Sequence, residues 1–497
     1  MRWIPGTAAV LLAVGALAAA PAGPASAAGV ELAGRAWIDD GGADTAVQAV
    51  KKAAGGKVKN GVVDTASLTG AGIGVALIDS GVAPVAGLNQ PGKVINGPDL
   101  SFESQTPGLE HLDTYGHGTH MAGIIAGSDP AGGFEGVAPG AHLISLKTAA
   151  ADGAVDVTQV IAAIDWVVAH RNDPGLNIRV LNLSFGTDSV QPALVDPLSY
   201  AVEAAWKKGI VVVSSVGNDG ATAPRVTMPA ANPYVLAVGA ADPNGTDGRA
   251  DDTVATFSNR GNLTRHADLL AAGRSLVSLR VPGSYIDTQY PSARVGDRLF
   301  RGSGTSQAAA VVSGSVALLL QQRPGLTPDQ VKQLLTRTAD PLAGADPVAA
   351  GAGQLDIAEA ATLIAPMNAT QTWAASTGLG SLELSRGTNH VVDSVTGTVL
   401  AGERDIFGTP WTPLTWTLAA RNGKAWTGGT WNGTVWSGQA FVGTSWPVVP
   451  WTGRTWAGRT WAGSTWAGRT WTTSGWTGRT WTSGTWAGRT WTGRTWA

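Results

Sequence analysis

Between residues 70 and 340, short apolar runs alternate with longer stretches whose apolar positions follow helical spacing. The runs Ile73–Ile78, His142–Lys147, Val180–Leu183, Ile210–Ser214 and Tyr234–Val238 are rich in β-branched residues and bounded by Gly, Pro or Asp, which predicts strands. Val157–His170, Ser199–Lys208 and Pro328–Arg337 read as amphipathic helices between them. This alternation predicts an α/β fold, a mostly parallel sheet flanked by helices on both faces. Ligands of such sheets bind beyond the carboxyl ends of the strands. Asp79 directly follows the first run and Asn218 follows another, so both fall where chemistry is expected.

The two ends of the chain follow other patterns. Residues 1–27 read as a signal peptide: Arg2 supplies the positive start, residues 7–19 the apolar stretch and Ala25-Ser26-Ala27 the small-residue cleavage site. The stretch is shorter than the roughly 20 residues a bilayer span needs. No later segment is long and apolar enough to span a membrane, so the expected product is secreted and soluble or surface-associated. Residues 28–66 form a short N-terminal segment with one helix, Thr45–Ala54, capped by Asp44 and stopped by Gly55-Gly56. Residues 366–410 are mixed in pattern and read as a linker or a small β-rich module.

From Trp411 onward, Trp recurs every five residues to 496, with Arg421 and Phe441 in the two missed positions. A five-residue step turns a helix by about 140° net, so these indoles form no helical stripe. Gly in nearly every unit also disfavours helix. The 411–497 repeat region is therefore either β-rich, as short strands joined by Gly turns, or disordered. Its indoles either pack on one another or offer stacking faces to a glycan or cell-wall polymer. The chain's net charge of −2 hides an asymmetry: from 411 there are eight basic residues and no acid, which leaves −10 for residues 1–410. A basic tail suits an anionic wall polymer, with nucleic acid ranked below it. The chain has no cysteine, so its stability rests on a large core and not on disulfides.

Three motifs carry chemistry: Asp79 in VALIDSG (75–81), His117 in GHGTHMAG (116–123) and Ser306 in GSGTSQAA (302–309). Alone, the first reads as a turn after a strand, and a serine at a helix start reads as a cap, a role open to Ser303. His117 and His120 lack a third ligand, which weakens a metal site. Taken together in the order Asp, His, Ser, they follow the subtilisin arrangement of the serine-hydrolase triad. From 67 to 365 the chain resembles the subtilisin-like serine protease (subtilase) family. The Trp-rich tail resembles those of secreted actinobacterial members.

The resemblance implies roles. Asp79 orients the His117 ring, His117 serves as general base and then general acid, and Ser306 is the nucleophile. Asn218, in SSVGNDG (214–220), implies an oxyanion donor beside the Ser306 N–H. Asp113 shapes the histidine loop, and His120 is structural. Ser184-Phe185-Gly186 and Ser215-Val216-Gly217 imply the walls of the primary specificity pocket, pairing with extended substrate. Thr227-Met228-Pro229 lies at its floor, which is shallower if Thr227 projects inward, and Met228-Pro229 is a candidate cis bond. Asp219 at the rim tolerates a basic side chain, and the expected cleavage is broad with an apolar preference. The implied reaction needs no cofactor and no catalytic metal. Structural calcium is compatible with the family but has no assigned ligands. The propeptide segment is shorter than the family's usual folding assistant. A rival reading makes the chain a surface-binding protein acting through its Trp repeats, with a dormant protease domain.

Overall fold

The computed structural model describes residues 68–436, apart from 105, 246–248 and 394–397, and also residues 451–453. The signal peptide, the Thr45–Ala54 helix and nearly all repeat units after Trp436 lie outside the described residues.

Strands β1 (Gly74–Asp79), β2 (Val94–Asn96), β3 (His142–Lys147), β4 (Ile178–Leu183), β5 (Val211–Ser215), β6 (Leu236–Asp242) and β7 (Leu269–Ala272) form one sheet in the order β7-β6-β5-β4-β1-β3-β2. Every neighbouring pair along this path is parallel. Thr253–Val254 adds a short antiparallel strand to the end of β6. All residues of β1, β5, β6 and β7 are buried, which is why these segments read as continuous apolar runs. Strand β1 lies between β3 and β4, and its last residue, Asp79, pairs in register with Lys147. The centre of the sheet therefore ends in a carboxylate.

Helices α1 (His117–Ala126), α2 (Val157–His170), α3 (Pro197–Lys207), α4 (Thr305–Gln322) and α5 (Pro328–Arg337) cover the sheet. Their starts follow local chemistry. Asp156 and Gln159 form a capping box on α2, Thr327 and Gln330 another on α5, and Asp196 caps α3 ahead of Pro197. Two of the three spans expected from periodicity coincide with the observed helices; α3 begins two residues earlier, because a capping Asp and a first-turn Pro extend it beyond the periodic residues. α1 packs on α4, and α2 on α3. α1 is buried along its whole length and α4 from Thr305 to Leu320. Small residues permit this: a Cβ on Gly314 would lie 2.6 Å from Val137 Cβ, and one on Gly123 2.3 Å from Ser278 Oγ.

Residues 376–436 lie against α2 and α3. Arg386, with no exposed side-chain surface, donates from Nε to Asp156 at 2.6 Å, the same Asp that caps α2. Ser385 Oγ donates to Asp196, Ser376 N–H to Glu203, and Tyr200 hydroxyl to the Thr417 carbonyl. The 366–410 stretch thus contains an ordered flank of the sheet-and-helix body, with one short helix at Leu382–Arg386.

The first repeat units split into two backbones. Pro413–Arg421 is a helix, α6, because the units there carry no Gly and Pro413 supplies a preset first turn. Trp426–Thr427, Thr430–Trp431 and Thr434–Val435 are short antiparallel strands. They are joined at Gly428-Gly429 and Asn432-Gly433, all four with positive φ, the geometry of a tight hairpin turn. Trp411, Trp416, Trp426, Trp431 and Trp436 are all buried. Trp411 lies 4.9 Å from Trp416, Phe407 4.8 Å from Trp436 and Trp431 6.2 Å from Trp436, centroid to centroid. Indole nitrogens of Trp416 and Trp431 both donate to Asp165 Oδ2, each at 2.8 Å. In these units the indoles pack on one another and on α2.

Candidate active site

Asp79 sits at the end of β1, His117 is the first residue of α1 and Ser306 the second residue of α4. All three are almost fully buried. His117 Nδ1 lies 2.8 Å from Asp79 Oδ1 and 3.0 Å from Oδ2, so the carboxylate grips one ring nitrogen and turns the other edge away. The flanking glycines have steric reasons. A Cβ on Gly118 would lie 2.2 Å from the Gly81 carbonyl oxygen and 3.1 Å from Asp79 Oδ1. Gly116 holds φ at 107°, and its Cβ would lie 2.6 Å from Ile286 and from Ser284. The chain's own segments, from both sides, need the space beside the ring.

A second layer joins the two elements. Asp113 accepts from Ser80 Oγ at 2.8 Å, from Gly116 N–H at 2.6 Å and from Thr119 N–H at 2.7 Å. Ser80 N–H donates to Asp79 Oδ1 at 2.8 Å, and Ser80 Oγ accepts from Gly118 N–H at 2.9 Å. Asp113 therefore ties the strand end that carries Asp79 to the helix start that carries His117. Burial pushes its carboxyl up to about 6. Burial and the neighbouring His117 hold His120 well below the usual imidazole range, which suits a neutral structural role.

The Ser306 hydroxyl is buried and makes no hydrogen bond to any described residue, so it is not bonded to the ring in this structure. Such bonds are commonly long without substrate and tighten in the reacting complex. The start of its helix is organised by Asn218, whose Oδ1 accepts from Thr305 N–H and Thr305 Oγ1, both at 3.0 Å. The cap of α4 is thus lent by a neighbouring loop. Ser303, a possible cap by sequence, instead accepts from Ser275 N–H at 2.8 Å. These bonds fix the Asn218 amide plane against the turn that carries Ser306, and Ser184 Oγ donates to the Ser306 carbonyl at 3.4 Å.

The two wall segments meet at Thr227. A Cβ on Gly186 would lie 2.4 Å from Thr227 Oγ1, and one on Gly217 2.8 Å from Thr227 Cγ2. Thr227 does project between the walls, and Met228-Pro229 is cis. Within the 215–217 wall the Val216 carbonyl already accepts from Thr227 N–H, and the Gly217 carbonyl from Asn259 N–H. A cavity of about 410 Å³ opens beside them, lined among others by Asp188, Val190, Asp219, Arg225, Thr227 and Asn259. Asp188 and Asn259 escaped the sequence reading. Asn259 sits in an ordinary turn pattern, and nothing in its spacing links it to Asp219, to which it donates at 3.2 Å.

Among the described residues, the carboxylates of Asp340, Asp356 and Glu359 lie within 4.8 Å of one another. Asp340 pairs with Arg249, and Asp356 caps the Ile357–Thr362 helix, so both already serve the fold. No helix of the described residues is long and apolar enough to cross a membrane.

A buried Asp–His pair at the carboxyl edge of a parallel sheet, its histidine on a helix packed against the one that carries Ser306, is the arrangement of the serine-hydrolase class. The subtilase family model matches residues 70–376. Serine protease AprX of Bacillus subtilis (strain 168) is 39% identical over 298 residues, 58% of this chain and 66% of AprX. Subtilisin BL of Lederbergia lenta is 32% identical over 295 residues, 59% of this chain and 92% of that protein. The minor extracellular protease Epr of Bacillus subtilis (strain 168) is 32% identical over 268 residues, 54% of this chain but 35% of Epr. A solved cold adapted subtilisin-like serine proteinase shares 28% identity over 58% of this chain and 88% of that one, with a TM-score of 0.44. The chain belongs to the subtilase family. It spans just under two thirds of AprX and about a third of Epr.

Proposed function

We propose that this chain is a secreted serine endopeptidase that cleaves peptide bonds through an acyl-enzyme. His117 takes the Ser306 proton as Oγ attacks the substrate carbonyl, and the imidazolium that forms is stabilised by Asp79. The tetrahedral oxyanion receives hydrogen bonds from the Ser306 N–H and the Asn218 side-chain amide. His117 then protonates the leaving amine, and water repeats the sequence on the acyl-enzyme. The observation that carries this reading is the Asp79 carboxylate on His117 Nδ1 at 2.8 Å, with His117 at the start of a helix that packs on the one carrying Ser306 in its first turn. The proposed chemistry uses no organic cofactor.

Main-chain pairing with substrate falls to 184–186, since the 215–217 carbonyls serve their own loop. The Thr227 side chain between Gly186 and Gly217 favours short or medium apolar side chains over large aromatic ones. The signal-like residues 1–27 support export. The rival reading, a wall- or glycan-binding protein with a dormant protease domain, is less well supported, because five of the indoles it would use are turned inward.

The test is labelling of the purified, processed protein with a fluorophosphonate. Wild type is expected to take one label per chain at Ser306, and Ser306→Ala none. A wild type that stays unlabelled after processing overturns the reading.

A further inference from the structure

The substrate wall 184–186 runs into a loop, residues 187–196, that forms one side of the cavity and then starts α3. At its front the loop is tied to the pocket floor: Thr187 and Met228 exchange main-chain bonds at 2.8 and 2.9 Å. Beyond that, many of its partners come from residues 376–388, at and past the end of the family match. Thr377 N–H donates to the Leu194 carbonyl and Gly380 N–H to the Val195 carbonyl, both at 2.7 Å. The Gln191 amide donates to the Ser381 carbonyl at 2.8 Å and accepts from Ser381 N–H at 3.1 Å. Thr388 donates twice to Asp188, from N–H to Oδ1 and from Oγ1 to Oδ2, each at 2.7 Å. Two glycines allow the approach: a Cβ on Gly387 would lie 2.2 Å from Asp188 Oδ1, and one on Gly380 2.4 Å from Gln191 Oε1.

We propose that residues 376–388 are a specificity strap, which holds loop 187–196 in place and, through Thr388, occupies both carboxylate oxygens of Asp188 at the cavity. Thr388 is a positioning residue and Asp188 a specificity-determining one. This rests on the protease reading above. With its oxygens engaged by Thr388, Asp188 offers little to an incoming ammonium or guanidinium, and the cavity selects apolar side chains. With the hydroxyl bond removed, one oxygen turns to the cavity and a basic side chain gains an ion pair.

The test uses the full-length protein and matched peptide anilides ending in Leu or Lys. Thr388 is exposed, so Thr388→Val leaves the fold intact. The Lys-to-Leu ratio of kcat/KM is expected to rise about three- to fivefold in Thr388→Val, the scale of one partly exposed ion pair. Fluorophosphonate labelling, which places no side chain in the cavity, should stay within about twofold of wild type. Adding Asp188→Asn should cancel the gain. An unchanged ratio in Thr388→Val, or a gain that survives Asp188→Asn, overturns the strap. Failure of wild type to label instead overturns the protease reading on which it rests.

Discussion

The catalytic cleft and the C-terminal flank both bury aspartates, and the partners they choose differ in kind. Asp79 holds the His117 imidazole, which the proposed mechanism requires to take up and pass on a proton. Asp156 holds Arg386, a permanent cation, with neither side chain exposed. Asp165 holds two indoles that never carry charge. In the cleft a carboxylate faces a ring that exchanges protons in the proposed reaction; in the flank carboxylates serve as fixed attachment points. The lesson is that burial alone does not mark a catalytic acid. The nature of the donor facing it does.

The largest effect expected is on the flank. Arg386→Leu leaves Asp156 buried without its cation and should destabilise the protein by about 3–5 kcal/mol, read as a lowered Tm. A shift under about 1 kcal/mol would mean that the flank hangs on the body without supporting it. In the cleft, Asn218→Ala should lower kcat by about 10²–10³ with KM little changed, the loss measured for the equivalent donor in subtilisin. Because Asn218 also caps α4, a modest fall in Tm should accompany it. An unaltered kcat would remove Asn218 from the oxyanion site.

The effect that varies with pH is the most diagnostic. Burial raises the Asp165 carboxyl to about 7, although both indole bonds act to lower it. Its folded value then lies above its unfolded one, near 3.9, so the docked state binds the extra proton. The stability it contributes is complete below about pH 4 and is lost as pH rises to about 7. Asp165→Asn keeps an acceptor for the indoles and should remove this loss, leaving the variant more stable than wild type at pH 8 and little changed at pH 4. Unfolding midpoints at pH 5 and 8 would decide it. A parallel decline in both proteins would place the pH dependence elsewhere, Asp405, raised to about 6, being the next candidate.

Much of the cleft was legible in the chain. Parallel strands buried on both faces leave continuous β-branched runs, and the glycines beside His117 mark backbone that has no room for a Cβ. Motif and chain order then singled out Asp79 and His117, which the fold bonds at 2.8 Å, and Asn218 and Ser306, which meet at the start of α4. The flank was not legible, because its bonds link residues with no shared pattern: Arg386 and Asp156 are 230 positions apart, Trp431 and Asp165 are 266. The pentapeptide period pointed to short strands with Gly turns, as seen from Trp426 to Val435. It misled at Pro413–Arg421, where the spacing persists without the glycines. Loop 187–196 carries no motif, and its bonds to residues 376–388 join positions about 190 apart.

The double duty of Asp156 bears on the order in which a nascent chain becomes an enzyme. The residue that opens α2 waits for a guanidinium that leaves the ribosome 230 residues later. Translation must therefore run past Ser306 before this interior can close, and the α2 cap gains its cation only after more than three quarters of the polypeptide has been made.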